Sequence, residues 1–174
     1  KGFDEIKKKT EIEQMAEEIV ARGLEFLNGN EFRAKDFPKP EYILYPIVAK
    51  QQLRQVFAPA GTGKTLMMLH EAAAVASGYD FLHYKNIREG KKTPVLYVEG
   101  EMDSASIQNR IDKIEESYEV QQKKLDKNFL FFATLALQKD MYFHSLTKDV
   151  GRLNVEITAQ QIEKIMGEKP IIYL

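Results

Sequence analysis

The sequence contains no cysteine among its 174 residues. Disulfides and thiolate metal sites are therefore excluded, which suits a cytosolic protein. The sequence also lacks an uninterrupted run of about 18 apolar residues, the length that a membrane helix needs, and no signal peptide stands at its start. We therefore expect a soluble protein of the cytoplasm that does not contact membranes.

A large excess of charge is absent too, since the formal net charge is −1. A broadly basic surface for nucleic acid is thus not expected, and DNA contacts would depend on local patches or on assembly into a ring. Hydrophobic residues make up 44% of the chain, which is enough for one domain with a substantial core. The spacing of His70, His83 and His144 matches no metal-ligand pattern, so we predict no zinc site.

The stretch from Leu53 to Ala76 joins a short strand-like segment, a turn of small residues and an apolar helical pattern. The turn, residues 58–65, reads Ala-Pro-Ala-Gly-Thr-Gly-Lys-Thr and matches a phosphate-binding loop, except that Ala58 stands where the signature has its first glycine. Small residues let backbone N–H groups approach a polyphosphate at the start of the following helix. We predict that ATP binds to Pro59, Ala60, Gly61, Thr62, Gly63, Lys64, Thr65 and Leu66.

Two side chains of this loop have predicted roles of their own. Lys64 supplies a compact cation for the outer phosphates, and the Thr65 hydroxyl is placed to bind the Mg²⁺ that bridges them. The alternative is a glycine-rich turn that happens to contain a lysine. The strand and helix patterns on either side disfavour that alternative.

A candidate catalytic carboxylate follows the next strand. The apolar run from Pro94 to Glu99 predicts a parallel strand covered on both faces, and Gly100 allows a sharp turn at its carboxyl end. In a parallel sheet that end lies on the same edge as the phosphate loop. Glu101 is therefore our candidate for activating the attacking water, with Glu99 and Asp103 as alternatives.

The remaining patterns predict the other elements of the chain. Before the phosphate loop we expect an amphipathic helix over residues 4–28, ended by Asn28-Gly29-Asn30, then an extended connector over 31–51 and a first core strand from Leu53 to Phe57. After it we expect helices over Thr65–Ser77, Ser104–Gln121 and Thr158–Met166, and further strands over Asn128–Ala133 and Pro170–Leu174.

Two stretches between these elements have weaker patterns. Within residues 135–157, Met141–His144 could form a short strand and Asp149-Val150-Gly151 a turn. A basic loop is interpreted as a solvated connection, with phosphate contact as the alternative; its residues are His83, Lys85, Arg88, Lys91 and Lys92. Two parts of the chain follow from these patterns: residues 1–43, with the helix and connector, and residues 44–174, with the core.

The order of these parts resembles the RecA-like ATPase core. The loop at 58–65, together with Leu96–Met102 and Arg110, resembles the RepA-type hexameric helicases, and more distantly the DnaB-type replicative helicases. The resemblance implies an α/β fold with a mainly parallel sheet covered by helices on both faces. It makes Lys64 the phosphate lysine, Thr65 the Mg²⁺ ligand and Glu101 the catalytic carboxylate; Arg110 is either a phosphate sensor or part of a surface ion pair.

The resemblance also implies function and partners. It points to an ATP-driven DNA helicase or translocase in replication of a plasmid, phage or mobile element, working as a hexameric ring on single-stranded DNA. The family's Mg²⁺-holding aspartate, arginine finger and DNA loops are expected after Leu174, so the core is truncated at its fourth strand and the fragment itself is expected to be weakly active or inactive.

Three other functions are compatible with the same loop. They are a recombination or repair ATPase that forms filaments on DNA, a small-molecule phosphotransferase, and a non-catalytic ATP-gated loader or scaffold. A phosphotransferase predicts a lid rich in arginines, and the sequence has no arginine cluster.

Overall fold

The computed structural model describes residues 27–88, 90–134, 137 and 149–174, without side chains for 149–153. The chain divides into two compact units, Lys1–Lys39 and Pro40–Leu174. The predicted helix over 4–28 and the predicted strand at 141–144 lie outside the described residues, apart from the last two positions of that helix. Among the described helices, none has the length and hydropathy that crossing a bilayer requires.

The described elements follow one another along the chain in a mixed α/β order. They are α1 (Gly29–Ala34), β1 (Tyr42–Tyr45), β2 (Val48–Ala49), α2 (Lys64–Ser77), β3 (Lys85–Asn86), β4 (Val95–Glu99), α3 (Ser104–Val120), a 3-10 turn (Lys127–Phe129), β5 (Leu130–Thr134), α4 (Asp149–Met166) and β6 (Ile171–Tyr173).

A parallel sheet with the order β5-β4-β6 forms the centre of the larger unit. Val95 pairs with Leu130 on one side of β4 and with Ile171 on the other, and both pairings run parallel. Three strands predicted from apolar runs are thereby confirmed with small shifts at their ends. Such runs suit strands that are covered on both faces.

Helices cover both faces of this sheet, as predicted. Because side chains alternate along a strand, Val95 and Tyr97 of β4 join the core beneath α2 and α3. Leu96 and Val98 point the other way and pack in a second cluster with α4. The sheet is therefore the middle layer of three.

A small antiparallel sheet has the strand order β2-β1-β3. Its strands β1 and β2 precede α2 in the chain, and β3 follows it. Ile43 and Leu44 of β1 are both fully buried and belong to the core shared with α2. The prediction of an extended connector over 31–51 was therefore wrong, because burial of these side chains stabilises a hairpin there.

The segment before the hairpin also differs from the prediction. Asn28 is the N-cap of a short helix that extends into the predicted connector: its side chain accepts hydrogen bonds from the N–H groups of Asn30 and Glu31. The Glu31 carboxylate accepts the N–H of Asn28 in return, at 2.9 Å. This reciprocal capping box stabilises the short helix α1.

The predicted first core strand, Leu53–Phe57, does not form. Its side chains are largely exposed, at 92% for Leu53 and 82% for Phe57. Among the residues that the structure describes, the backbone of 52–60 makes no hydrogen bond to another backbone segment. A strand requires a partner for its ladder, and apolar alternation alone does not supply one.

Helix α4 starts earlier than predicted. It begins at Asp149, so the predicted turn at Asp149-Val150-Gly151 is helical and Thr158 is not a cap. The Thr158 hydroxyl donates instead to the carbonyl of Asn154, one turn back, at 2.8 Å. A threonine can make this bond inside a helix as easily as it can cap one, and sequence does not separate the two.

Candidate functional site

Two contacts fix how helix α2 lies on strand β4. The Tyr97 hydroxyl donates to the carbonyl of Thr65 at 3.4 Å, and the N–H of Thr93 donates to the carbonyl of Val75 at 3.3 Å. The helix runs roughly 15 Å between its two contact residues and the strand roughly 13 Å, at 1.5 and 3.3 Å per residue. Helix and strand are therefore antiparallel, and α2 begins beside the carboxyl end of β4.

Two glycines of the loop before α2 adopt a left-handed backbone. Gly61 and Gly63 have left-handed φ angles of +76° and +88°, while an added Cβ would meet no atom within 4 Å at either position. Glycine is required there by conformation rather than by space. Ala58 is not among the non-glycine residues with positive φ, so the first signature position does not need glycine in this chain.

Lys64 and Thr62 fold the loop back on itself. The Lys64 ammonium donates to the carbonyls of Ala58 and Pro59 at 2.7 and 3.0 Å, and the Thr62 hydroxyl donates to Pro59 at 2.8 Å. An ammonium has three donors, so one remains for an incoming anion. The loop residues 59–63 are exposed to solvent.

The first turn of α2 offers unpaired backbone donors. The first bond of this helix runs from the N–H of Met67 to the carbonyl of Gly63 at 2.9 Å, and no side chain caps its start. The N–H groups of Lys64, Thr65 and Leu66 therefore have no partner within the helix. Together with the helix dipole, such groups favour an anion.

The residues present fit a magnesium ion that arrives with phosphates. The Thr65 hydroxyl is partly buried and forms no hydrogen bond among the described residues. No group of three or more histidine or carboxylate side chains is placed to hold a metal in that part of the chain. Mg²⁺ usually takes one or two protein ligands and keeps water and phosphate oxygens for the rest, so one threonine suits that pattern.

Three carboxylates follow the carboxyl end of β4 and differ in what they contact. The Glu99 carboxylate accepts the N–H groups of Glu101 and Met102, at 2.8 and 3.1 Å, and so fixes the turn. Asp103 caps α3 by accepting the N–H and hydroxyl of Ser106, and these bonds lower the pKa of Asp103. Glu101 is exposed and pairs with no described side chain.

The Tyr97 side chain links β4 to the start of α2. Its burial, and secondarily the negative charge of Glu99, raise its pKa to about 12. The hydroxyl therefore stays protonated and remains a donor to the Thr65 carbonyl.

Arg110 on α3 is partly buried and forms no ion pair with a described side chain, so the ion-pair alternative for this residue is not seen.

Sequence reasoning missed a buried charge cluster behind the loop. Glu71 of α2 is 1% exposed; its Oε1 pairs with the Arg54 guanidinium and accepts the Tyr173 hydroxyl at 3.0 Å. Burial raises the pKa of Tyr173, and the charge of Glu71 adds to that effect. The available signal was a lone glutamate inside the apolar run Leu66–Ala76, since a buried carboxylate requires a partner.

The basic loop after α2 is tied down rather than simply solvated. Arg88 is 9% exposed in its side chain and pairs with Glu168 at 2.8 Å, while Lys85 pairs with Asp80 at 2.6 Å. Its residues lie before β4, on the opposite edge of the sheet from the phosphate loop. The interpretation as a solvated connection was therefore wrong for Arg88.

Two concavities lie away from the phosphate loop. One, of about 490 Å³, is bounded by Lys91, Phe129 and Glu168 at the amino-terminal edge of the sheet. The other, of about 350 Å³, lies between α4 and β6 beside Val155 and Ile172. Neither contains a residue of the loop or of the turn after β4, so concavity alone does not locate this site.

Comparison with known proteins gives one match. A family model described as AAA domain, AAA_25, matches residues 21–169. This family comprises P-loop NTPases associated with RepA-like and DnaB-like helicases. No curated protein and no solved structure matches the chain.

Proposed function

Because the chain belongs to the AAA domain family AAA_25, and is thus a P-loop NTPase domain, we propose that it is the ATP-hydrolysing motor of a RepA-like DNA helicase or translocase. It serves replication of a plasmid, phage or mobile element. The observation that carries the proposal is the meeting of two elements: the start of α2, with its unpaired N–H groups, lies beside the carboxyl end of β4. Both halves of a nucleotide hydrolysis site belong at that edge.

The residues of the loop bind the triphosphate in this proposal. The backbone N–H groups of residues 60–66 surround the phosphates, and Lys64 gives its free donor to the outer ones. The Thr65 hydroxyl takes one position on Mg²⁺, which neutralises the charge that develops as the γ-phosphoryl group leaves. Phosphoryl transfer needs mainly such positioning and charge neutralisation.

Glu101 is the residue we assign to the attacking water. Glu99 uses a carboxylate oxygen to hold the turn and Asp103 uses its carboxylate to cap α3, so among the described residues of this turn Glu101 is the carboxylate without a hydrogen-bond partner. A free carboxylate can accept a proton from water while holding it in line with the phosphate.

The experiment compares ATP binding and turnover by the full-length protein and two pairs of its variants. Lys64→Met should weaken binding of a fluorescent ATP analogue strongly, while Lys113→Met, an exposed lysine of α3, should not. Glu101→Gln should retain binding but lose turnover by about 10²-fold or more, the scale of a lost general base. The matched control is Glu116→Gln, an exposed glutamate of α3.

The same measurements separate the alternatives. Turnover by Glu101→Gln equal to the parent would refute the catalytic assignment and favour an ATP-gated loader. Strand displacement by the full-length protein distinguishes a helicase from a filament-forming recombination ATPase. Ring assembly is tested by light scattering with ATP and single-stranded DNA, where a hexamer mass is expected.

A further inference from the structure

We propose that Arg54 and Glu71, with Tyr173, are positioning residues that hold the segment leading into the phosphate loop against helix α2. This inference rests on the proposed nucleotide site and names residues that neither the loop signature nor the family match assigns. It concerns residues 54–59, the segment between the small antiparallel sheet and the loop.

One face of α2 carries the hydrogen bonds and the ion pair that join this segment to the helix among the described residues. Lys64, Met68 and Glu71 are spaced by four and three residues, so they lie along one stripe of the helix. The Lys64 ammonium holds the carbonyls of Ala58 and Pro59. The Arg54 guanidinium pairs with Glu71 and lies 3.9 Å from the sulfur of Met68.

The segment has little else to hold it among the described residues. Its backbone makes no hydrogen bond to another backbone segment, and Leu53 and Phe57 are turned to solvent. Its position therefore depends on two attachments, one at each end. Lys64 makes the attachment nearer the loop, and the Arg54–Glu71 pair makes the other.

Nucleotide binding affects these two attachments differently. The Lys64 attachment is part of the nucleotide site, because the ammonium that holds the carbonyls of Ala58 and Pro59 offers its third donor to the phosphate. Glu71 is buried six residues beyond Thr65, so its pair with Arg54 is outside the phosphate's reach. The Arg54–Glu71 pair is then the attachment that keeps the loop in its binding shape.

Tyr173 joins β6 to this anchor. Its hydroxyl donates to the same Glu71 oxygen that Arg54 contacts, so the carboxylate is held from the strand as well as from the segment. Both bonds go to Oε1, whereas Oε2 is buried without a hydrogen-bond partner among the described residues, so the carboxylate is held through one oxygen. Through Glu71, the cluster of Arg54, Glu71 and Tyr173 therefore links the segment before the loop to strand β6 of the central sheet.

The first experiment reads the segment without any nucleotide. The sequence contains no tryptophan, so Phe57→Trp introduces a single indole into the segment. On that background we expect Glu71→Gln and Arg54→Met to lower the fluorescence anisotropy of the indole, with an unchanged far-UV circular dichroism spectrum. Arg88→Met, which breaks a partly buried ion pair at the opposite sheet edge, should leave the anisotropy unchanged.

The second experiment measures the consequence for the nucleotide, without the tryptophan substitution. If loosening leaves the binding shape populated in about a tenth of molecules, the dissociation constant for the ATP analogue rises about tenfold. The turnover number at saturating ATP should stay within about twofold of the parent, because the bound loop has its normal shape. Arg54→Lys should recover part of the affinity, since it restores the charge.

Each outcome decides a separate question. Unchanged anisotropy in Glu71→Gln and Arg54→Met, or an equal decrease in Arg88→Met, would overturn the anchor. A lowered anisotropy with an unchanged dissociation constant would overturn its role in binding. Failure of the parent to bind nucleotide would refute the proposed function instead, while the anisotropy still tests the anchor. Should Glu71→Gln not fold, Arg54→Met and Tyr173→Phe carry the same comparison.

Discussion

The end of helix α2 provides a sharp test of the structure. Gly78 follows the helix with φ +76°, and a Cβ added there would lie 2.2 Å from the carbonyl oxygen of Gly90 and 2.7 Å from its carbon. Gly167 follows α4 with a similar φ of +73°, yet an added Cβ would meet nothing within 4 Å. The two glycines share the conformational requirement, and only Gly78 has the steric one.

The expected losses of stability differ accordingly. Placing alanine in the left-handed region costs roughly 1–2 kcal/mol, of which a few tenths to 1 kcal/mol is offset by the reduced freedom of the unfolded chain. Gly167→Ala should therefore lower the free energy of unfolding by about 1 kcal/mol. Gly78→Ala must in addition displace backbone, which costs about 1–3 kcal/mol more.

Urea unfolding followed by circular dichroism at 222 nm measures both losses. In thermal unfolding the same changes correspond to about 2–4 °C for Gly167→Ala and about 5–15 °C for Gly78→Ala, at roughly 2–4 °C per kcal/mol. Equal losses in the two variants would show that the backbones of Gly78 and Gly90 are not in contact, which would refute the placement of the loop after α2.

Two further predictions concern single side chains. Burial between the rings of Phe81 and Tyr118 lowers the pKa of His70, so the unfolded chain binds more protons below about pH 6.5. Stability should be complete above that pH and decline as the pH falls through the folded pKa. The urea midpoint should then drop more between pH 7.5 and 5.5 in the parent than in His70→Phe, and equal drops would contradict the burial of this imidazole. Since Ala58 has no positive φ, Ala58→Gly should change the dissociation constant of the ATP analogue less than about threefold. Gly63→Ala places alanine at φ +88° and should weaken binding more. A larger effect of Ala58→Gly than of Gly63→Ala would contradict the loop conformation.

The parts of the fold that sequence predicted are those set by local pattern. The run from Pro94 to Glu99 is apolar at nearly every position, and it lies at the centre of the parallel sheet. Gly78 ends α2 and Asp103 begins α3 because a left-handed glycine and a capping carboxylate act on their immediate neighbours.

The predictions that failed concern features that depend on residues distant in the sequence. Leu53–Phe57 has the composition of a strand, but a strand is stable only beside another one. The Arg54–Glu71 pair, in which Glu71 is buried, joins a residue of the connector to a residue of a helix, and no local sequence period predicts such a pairing. In the candidate site, the loop signature located Lys64 and Thr65. By contrast, only the hydrogen bonds of the structure show that Glu99 holds the turn after β4 and that Asp103 caps α3.

The central position of β4 affects how fast backbone amides exchange on the two sides of the candidate site. Over Val95–Tyr97 this strand is paired on both sides and covered on both faces, so the amides there should exchange with solvent deuterium only when the whole unit opens. The amides of residues 52–63 lack such protection and should exchange within seconds. A bound nucleotide therefore lies between a slowly exchanging strand, β4, which leads to the carboxylates, and a rapidly exchanging loop, which carries the phosphate donors. Nucleotide binding should slow amide exchange in the loop alone.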